Sequence, residues 1–372
     1  MKVLYVSKAS WVVAHRDKLR FLARIVDLHT VVPERWGRSP REDPDPTHPA
    51  VEALPVICHG HNHLHVYRGL GAVMDRCRPD LVHADEEPYS VVTLQVARLC
   101  GSRGVPFVFF AYQNLLKRLP PPFGALQRHV FRKSAGGMAA SQDAARVLRT
   151  GGFQGPLAVL PQMGIDPERF RPSPEDRRRR RGEVGVRESS VVAGYVGRLV
   201  PEKGVDVFLE AVARVPGMCA WVVGDGPHAG TLVRRSREVG LGDRVRFTGH
   251  VASLEVASWM AALDILVLPS RTTRTWTEQF GRVLVEAMAC GVPVVVSDAG
   301  QMAEVVGGAG CVVPEGDVST LAGTLQRLAE DPQERAKRGE AGRVRAVEAY
   351  SQECVTTETV AFYRRVLSGG EA

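Results

Sequence analysis

Hydrophobic positions along this chain fall into two alternating kinds of run. Short, nearly continuous apolar segments such as Val3–Val6, Leu81–Ala84, Pro106–Ala111 and Leu157–Leu160 read as strands covered on both faces. Between them lie stretches with apolar residues at helical spacing: Lys18–Ile25, Ser90–Leu99, and a helix capped by Ser141 that reaches about Leu148. His29–Val32 adds a strand, and Pro33–Pro49 after it is too polar and proline-laden for a core element. The second half repeats the pattern more cleanly. Strands fit Val191–Val196, Cys219–Val223, Val245–Thr248, Ile265–Leu268, Val292–Val296 and Cys311–Val313. The clearest helix between them carries Val205, Phe208, Leu209, Val212 and Val215 on one stripe. Repeated strand–helix units predict an α/β fold with two doubly wound parallel sheets.

Phe170–Pro174 reads as the linker between the halves, giving domains over residues 1–172 and 173–350 and a closing helix within 351–372. Ser173 as N-cap and Pro174 at the first helical position open a helix that contains Arg177–Arg181. Five consecutive arginines wrap a helix on all sides. With no aromatic interleaving, they predict a solvated surface helix and argue against a nucleic-acid partner.

At 372 residues the chain is comfortable for two domains, and 44% hydrophobic with 24% charged residues is the balance of a globular protein. The amino-terminal apolar run is too short for a signal peptide and is interrupted by Lys8, and no apolar stretch approaches a membrane span. Seven scattered cysteines without a C-x-x-C motif predict a reducing, cytoplasmic setting. The net charge of +7 favours polyanions, acidic headgroups or phosphorylated ligands, without choosing among them.

The chemistry concentrates in Pro269–Ser297, which reads as strand end, loop, helix (about Phe280 to Cys290), Gly291-x-Pro293 stop and strand. Glu278 and Glu286 lie eight positions apart. On one helix they would diverge by about 80°; with Glu278 in the loop, both can face an elongated ligand. Between them a helix N-terminus offers free N–H groups to a diphosphate. Hydroxyls, diphosphate and hydroxyls again make a nucleotide sugar. Gly197-Arg198-Leu199-Val200-Pro201-Glu202-Lys203-Gly204 also follows a strand, placing two cations at the carboxyl end of a sheet.

Glu278-x7-Glu286, with its flanking Phe280-Gly281 and EAMACGVPVV, resembles the E-x7-E signature of the retaining family 4 glycosyltransferases of the GT-B fold. The resemblance covers Gly194–Pro314 strongly and the first half by layout. It implies two Rossmann-like domains facing across a cleft, and a closing helix that returns to the first. It also implies Arg198 and Lys203 on the leaving diphosphate, Glu278 on sugar hydroxyls near the reacting carbon and Glu286 on the ribose. Gly197, Gly224, Gly226 and His250 would line the nucleotide pocket, with Gln279, Phe280 and Gly281 touching sugar or phosphate through their backbones. Gly224-Asp225-Gly226 alone is a weak dinucleotide signal, so an NAD reading comes second. His250 is nearly as well explained by an incidental tight turn.

The first half departs from the family pattern. Ser7-Lys8-Ala9-Ser10-Trp11 replaces the glycine pair after the first strand, and Ala111-Tyr112-Gln113-Asn114 lacks the usual histidine. Lys8, Glu87 and Gln113 are the acceptor-side candidates, Glu87 being one of three consecutive acids. An acidic first turn for the following helix explains those acids almost as well. His59, His61, His63 and His65 would share one face of a strand and could ligate zinc, although an imidazole-rich surface strand is favoured and the family needs neither metal nor cofactor. Lys117, Arg118, Arg128, Arg132 and Lys133 suit either an anionic membrane surface or a solvated helix face. The expected activity is transfer of a hexosyl group from a nucleoside-diphosphate sugar, UDP-linked rather than GDP-linked, to a hydroxyl of a glycan, lipid or small metabolite. The alternatives are a nucleotide-sugar isomerase of the 2-epimerase kind and a non-catalytic nucleotide-sugar binder.

Overall fold

The computed structural model describes residues 1–12, 15–37 and 49–369. The Pro33–Pro49 stretch therefore lies largely outside the described residues. Two compact units emerge, Met1–Gly164 with Gln352–Ala372, and Ile165–Ser351. The division falls before the linker read from the sequence. Ile165 donates its N–H to the Tyr350 carbonyl, and Ile165 and Phe170 are buried in the second core.

The first unit runs β1 (Lys2–Val6), α1 (Asp17–Leu22), β2 (Asp27–Pro33), β3 (Val51–Leu54), β4 (Val56–Ile57), β5 (Val66–Tyr67), α2 (Leu70–Cys77), β6 (Leu81–Ala84), α3 (Val91–Arg103), β7 (Phe107–Ala111), α4 (Phe123–Lys133), β8 (Gly136–Ala139), α5 (Gln142–Thr150) and β9 (Leu157–Val159). Seven parallel strands form one sheet in the order β3-β2-β1-β6-β7-β8-β9. Its central strands are buried along their whole length, which is why they read as unbroken apolar runs. The edge strand β3, Val-Glu-Ala-Leu, is only half-buried and carries no such run, so the hydrophobic pattern missed it. The final helix, Gln352–Leu367, seats Val360, Phe362 and Tyr363 in this unit's core beside Val3 and Tyr5.

The second unit runs α6 (Pro174–Val184), β10 (Val192–Val196), α7 (Val205–Ala213), β11 (Cys219–Val223), α8 (Ala229–Glu238), β12 (Val245–Gly249), α9 (Val256–Ala261), β13 (Ile265–Leu268), α10 (Arg282–Ala289), β14 (Val294–Ser297), α11 (Met302–Val306), β15 (Cys311–Val313), α12 (Val318–Glu330) and α13 (Pro332–Tyr350). Its six parallel strands lie in the order β12-β11-β10-β13-β14-β15. In each sheet the chain works outward from the first strand to one edge, then returns to the first strand's other side. The switch points lie between β1 and β6, and between β10 and β13. Open α/β sheets bind ligands at the carboxyl ends of the strands there.

The arginine helix departs from expectation. Ser173 does cap α6 by accepting from Asp176 N–H, but Arg180 and Arg181 are buried rather than solvated, at 6% and 1% exposure. Arg181 donates to the carbonyls of Ala262, Glu188 and Ser190 and pairs with Asp264 at 2.6 Å. Arg180 bonds Ser258 and Glu255 and lies over the Trp259 ring, 4.8 Å from its centroid. Composition shows a charge run but not the acids and carbonyls that a neighbouring element will supply.

Candidate active site

In the second unit the loops leaving β10, β11, β13 and β14 interlock beyond the strand ends. Gly197 N–H donates to the Val223 carbonyl, and Leu199 N–H to that of Asp225. Gly224 sits at φ +134, and a Cβ there would lie 2.0 Å from the Gly197 carbonyl oxygen. A Cβ on Gly226 would meet the Leu199 oxygen at 2.3 Å. These glycines are needed so that one loop's backbone can pass against the next. Gly224 N–H also donates to the Gly249 carbonyl, bringing the β12 turn alongside, with His250 exposed beside it.

Across the β10–β13 switch point, Lys203 reaches Glu278, Nζ to Oε2 2.5 Å, and lies over the Trp276 ring, 4.8 Å from its centroid. Ser270 Oγ donates to the same carboxylate oxygen at 3.2 Å. Arg198, on the loop that also carries Lys203, has an exposed side chain, while its carbonyl accepts from the Tyr195 hydroxyl at 2.9 Å. Burial first, then the Glu278 carboxylate, pushes that hydroxyl's pKa up, with Arg198 opposing. Sequence alone did not reveal what holds Glu278. Gly300 stands at φ +58 with a would-be Cβ 2.0 Å from the Glu278 carbonyl oxygen, and Gln301 N–H donates to that carbonyl. A glycine beyond the next strand carries no local motif.

Glu278 lies in the loop and Glu286 on α10, so the two acids occupy different elements. The helix starts at Arg282 rather than Phe280, because Gly281 takes a left-handed conformation at the N-cap. The Phe280 ring turns away to meet Tyr350 edge-on at 5.4 Å, leaving backbone at this turn, with Gln279 half-buried beside it. Glu286 is 9% exposed and pairs with Arg282 at 2.9 Å. Burial raises its pKa, opposed by Arg282 and Arg169.

The first unit has a second constellation at its own switch point. A cavity of about 250 Å³ is lined by Lys8 and Ala9 after β1, by Asp85, Glu86 and Glu87 after β6, and by Asn62, His63, Tyr112 and Gln162. All three acids are buried. Asp85 accepts from Ser7, Tyr112 and Gln162. Glu86 pairs with Lys8 at 2.8 Å. Glu87 Oε1 accepts the backbone N–H groups of Tyr112 and Gln113. Burial moves the pKa values of Glu86 and Glu87 up to about 7, with Lys8 the leading opposition for Glu86 and the two N–H groups for Glu87. The acids thus line a cavity instead of serving as a helix's first turn, and α3 has no acid there. Gln113 is committed internally: its Oε1 accepts from Tyr89 and its Nε2 donates to the Leu115 carbonyl.

The histidine run is not a strand face. Residues 58–64 are turns, and the strand begins only at Val66. Cys58 and Gly60 take positive φ there, so period-two alternation fails. His65 is fully buried against the Trp36 and Tyr67 rings, and burial followed by Lys8 lowers its pKa to about 4, whereas His59 and His61 are exposed.

Comparison with known proteins accords with this geometry. The model of the Glycosyltransferase Family 4 domain matches residues 16–169, and that of Glycosyl transferases group 1 matches residues 176–345. The chain is 32% identical over 306 residues to a 2-deoxystreptamine glucosyltransferase of Streptomyces kanamyceticus, covering 77% of each protein. The chain belongs to the family 4 glycosyltransferases. It is also 37% identical over 199 residues to a GDP-mannose-dependent phosphatidylinositol monomannoside mannosyltransferase of Mycolicibacterium smegmatis. That match spans 51% of this chain and 52% of its relative, about half the length of each. Anabaena HepE in complex with UDP superposes with a TM-score of 0.79 at 22% identity, covering 98% of this chain and 100% of that one. The fold is GT-B, built of two Rossmann-like domains. Among the described residues no helix is long and apolar enough to cross a membrane.

Proposed function

We propose that this glycosyltransferase moves a hexosyl group from a nucleoside-diphosphate sugar, UDP-linked, to an acceptor hydroxyl, with retention of anomeric configuration and without a metal. The observation that carries the reading is the Lys203–Glu278 contact at the β10–β13 switch point, with Glu286 on the helix that follows. A cation touching a carboxylate suits the junction of phosphate and sugar. Lys203 exchanges Glu278 for the donor phosphate, and the freed carboxylate accepts sugar hydroxyls. Arg198 supplies a second positive charge to the diphosphate. As the anomeric carbon–oxygen bond breaks, the diphosphate gains negative charge, and fixed cations there stabilise the transition state more than the ground state. In a same-face displacement the departing phosphate oxygen takes the acceptor's proton, so no side-chain base is required and Gln113 is no obstacle. The two cations take the charge-neutralising role that a metal has in other sugar transferases.

A second reading of the base, GDP, is favoured by the name of the mycobacterial relative. Thermal melting against UDP, GDP, ADP, NAD and their sugars, with Glu286→Ala as control, separates the two. A ligand at a hundredfold its Kd stabilises by about 2.7 kcal/mol, a shift of a few degrees. We expect UDP to give this shift, the variant to lose it, and turnover to persist in chelator. Stabilisation by GDP alone changes the base. Stabilisation by NAD alone, or by nothing, defeats the reading.

Peripheral contact with an anionic membrane belongs to the same proposal. Leu116 is 66% exposed beside exposed Lys117 and Arg118, and Arg128, Arg132 and Lys133 are exposed on α4. Each cation near such a surface contributes about 1 kcal/mol. The protein should sediment with phosphatidylserine vesicles at low salt and release as salt rises. Equal recovery from neutral vesicles would remove this element.

A further inference from the structure

We propose that the cavity between β1 and β6 selects an acceptor bearing a protonated amine on a small hydroxylated ring, and turns away phosphorylated acceptors. This rests on the glycosyl-transfer reading and adds the acceptor's chemical class.

The cavity's electrostatics are lopsided. Three carboxylates line it, each 7% exposed or less, and Lys8 is the one ammonium in the lining, while Lys18 acts on Asp85 and Lys117 on Glu87 from outside it. The other basic group in the lining, His63, has its pKa lowered by burial and by Lys8, so it adds no charge at neutral pH. Lys8 is already committed, to Glu86 at 2.8 Å and to the Asn62 carbonyl at 3.3 Å. Asp85 is committed to three donors.

Glu87 differs from its neighbours. Its Oε1 takes two backbone N–H groups, at 2.8 and 2.9 Å, which fixes the carboxylate. No described residue hydrogen-bonds Oε2, although the residue is 7% exposed and lines the cavity. A fixed carboxylate whose second oxygen has no partner among the described residues can accept from a ligand in the cavity, and a charged donor satisfies it best. The His63 Nδ1 is likewise buried without a partner, a neutral group suited to a hydroxyl. At about 250 Å³ the space suits one ring rather than an extended chain. Burial leaves Glu86 and Glu87 partly protonated near neutral pH, with pKa values of about 7. A bound ammonium favours their charged forms, whereas a phosphate meets the Asp85 carboxylate and pushes their charge off, at a cost in a partly desolvated site.

The test measures calorimetric binding of three ring probes to the full-length protein: 2-deoxystreptamine (cationic), myo-inositol (neutral) and myo-inositol 1-phosphate (anionic). Wild type should bind 2-deoxystreptamine at least about tenfold more tightly than myo-inositol, with the phosphate weakest. Glu87→Gln keeps the shape and an oxygen for the two N–H groups, and should weaken the cationic probe about tenfold while leaving myo-inositol within about twofold. Lys8→Met removes the competing cation and should tighten the cationic probe; a purely structural role for Lys8 predicts weakening instead. Equal affinity for charged and neutral rings, preference for the phosphate, or an unaffected Glu87→Gln variant that melts like wild type would each overturn the proposal. The UDP-induced melting shift, read in the same samples, reports on the transferase reading separately.

Discussion

Lys203→Ala should lower kcat by about 10²–10³, the loss seen when one preorganised charge-stabilising donor is removed from a transition state. The group sits where that loss would be felt: its ammonium touches Glu278 and is held against the Trp276 ring. Stability should fall more modestly than the rate. The Lys203 and Glu278 side chains are only 19% and 10% exposed, so removing the ammonium leaves a largely buried carboxylate with the Ser270 hydroxyl as donor, at a cost of about 1–3 kcal/mol. A raised KM with unchanged kcat would mean that Lys203 binds ground state and transition state alike. Lys203→Arg keeps the charge but not the compact ammonium, and should recover part of the rate. Steady-state kinetics with saturating donor, beside melting curves of the three proteins, decide the matter. Wild-type kcat in Lys203→Ala would remove the diphosphate role.

The two sheets were legible because buried parallel strands must be apolar along their whole length, and Ile265–Leu268 and Phe107–Ala111 are. The residues proposed for the donor side could be picked out because they lie in local motifs. Lys203 follows a strand within one loop, and Glu278 and Glu286 flank one short turn. What the sequence hid depends on contacts between distant segments. Gly300 holds the Glu278 backbone from beyond β14, and nothing near it in sequence marks that role. The Asp85–Glu87 acids could be an acidic helix turn or a site; only the crossover that sets β6 beside β1 brings them against Lys8 and Gln162. The histidine run misled because period-two spacing implies one face only if the segment is extended, and the left-handed residues Cys58 and Gly60 turn it instead. The arginine run misled through the same limitation, since the partners of Arg181 lie as much as 83 positions away.

Arg181→Ala should destabilise the second unit by about 3 kcal/mol, the lower end of what breaking one side of a buried ion pair costs. The lower end applies because Asp264 keeps a second partner, Arg177 at 2.9 Å, and also accepts the Val192 N–H at 2.7 Å. The loss extends beyond the pair. The carbonyls of Ala262, Glu188 and Ser190 each lose a guanidinium donor, in a place where Arg181 is 1% exposed and water reaches poorly. These contacts tie α6 to the segment before β10 and to the turn before β13, so the damage falls at the start of the two strands whose far ends carry Lys203 and Glu278. At about 2–4 °C per kcal/mol for a unit of this size, melting should fall by roughly 6–12 °C. Trp259 packs edge-on to Trp221 at 5.4 Å and lies under Arg180, so tryptophan fluorescence reports the transition from within the affected region. Arg178 and Arg179 are exposed on the same helix, and their alanine variants should stay within about 0.5 kcal/mol of wild type. A solvated helix would make all three substitutions alike. A network anchored by the buried Arg181 guanidinium makes Arg181→Ala the costly one of the three, and a wild-type melting curve for that variant would show that Asp264 and the three carbonyls find other partners.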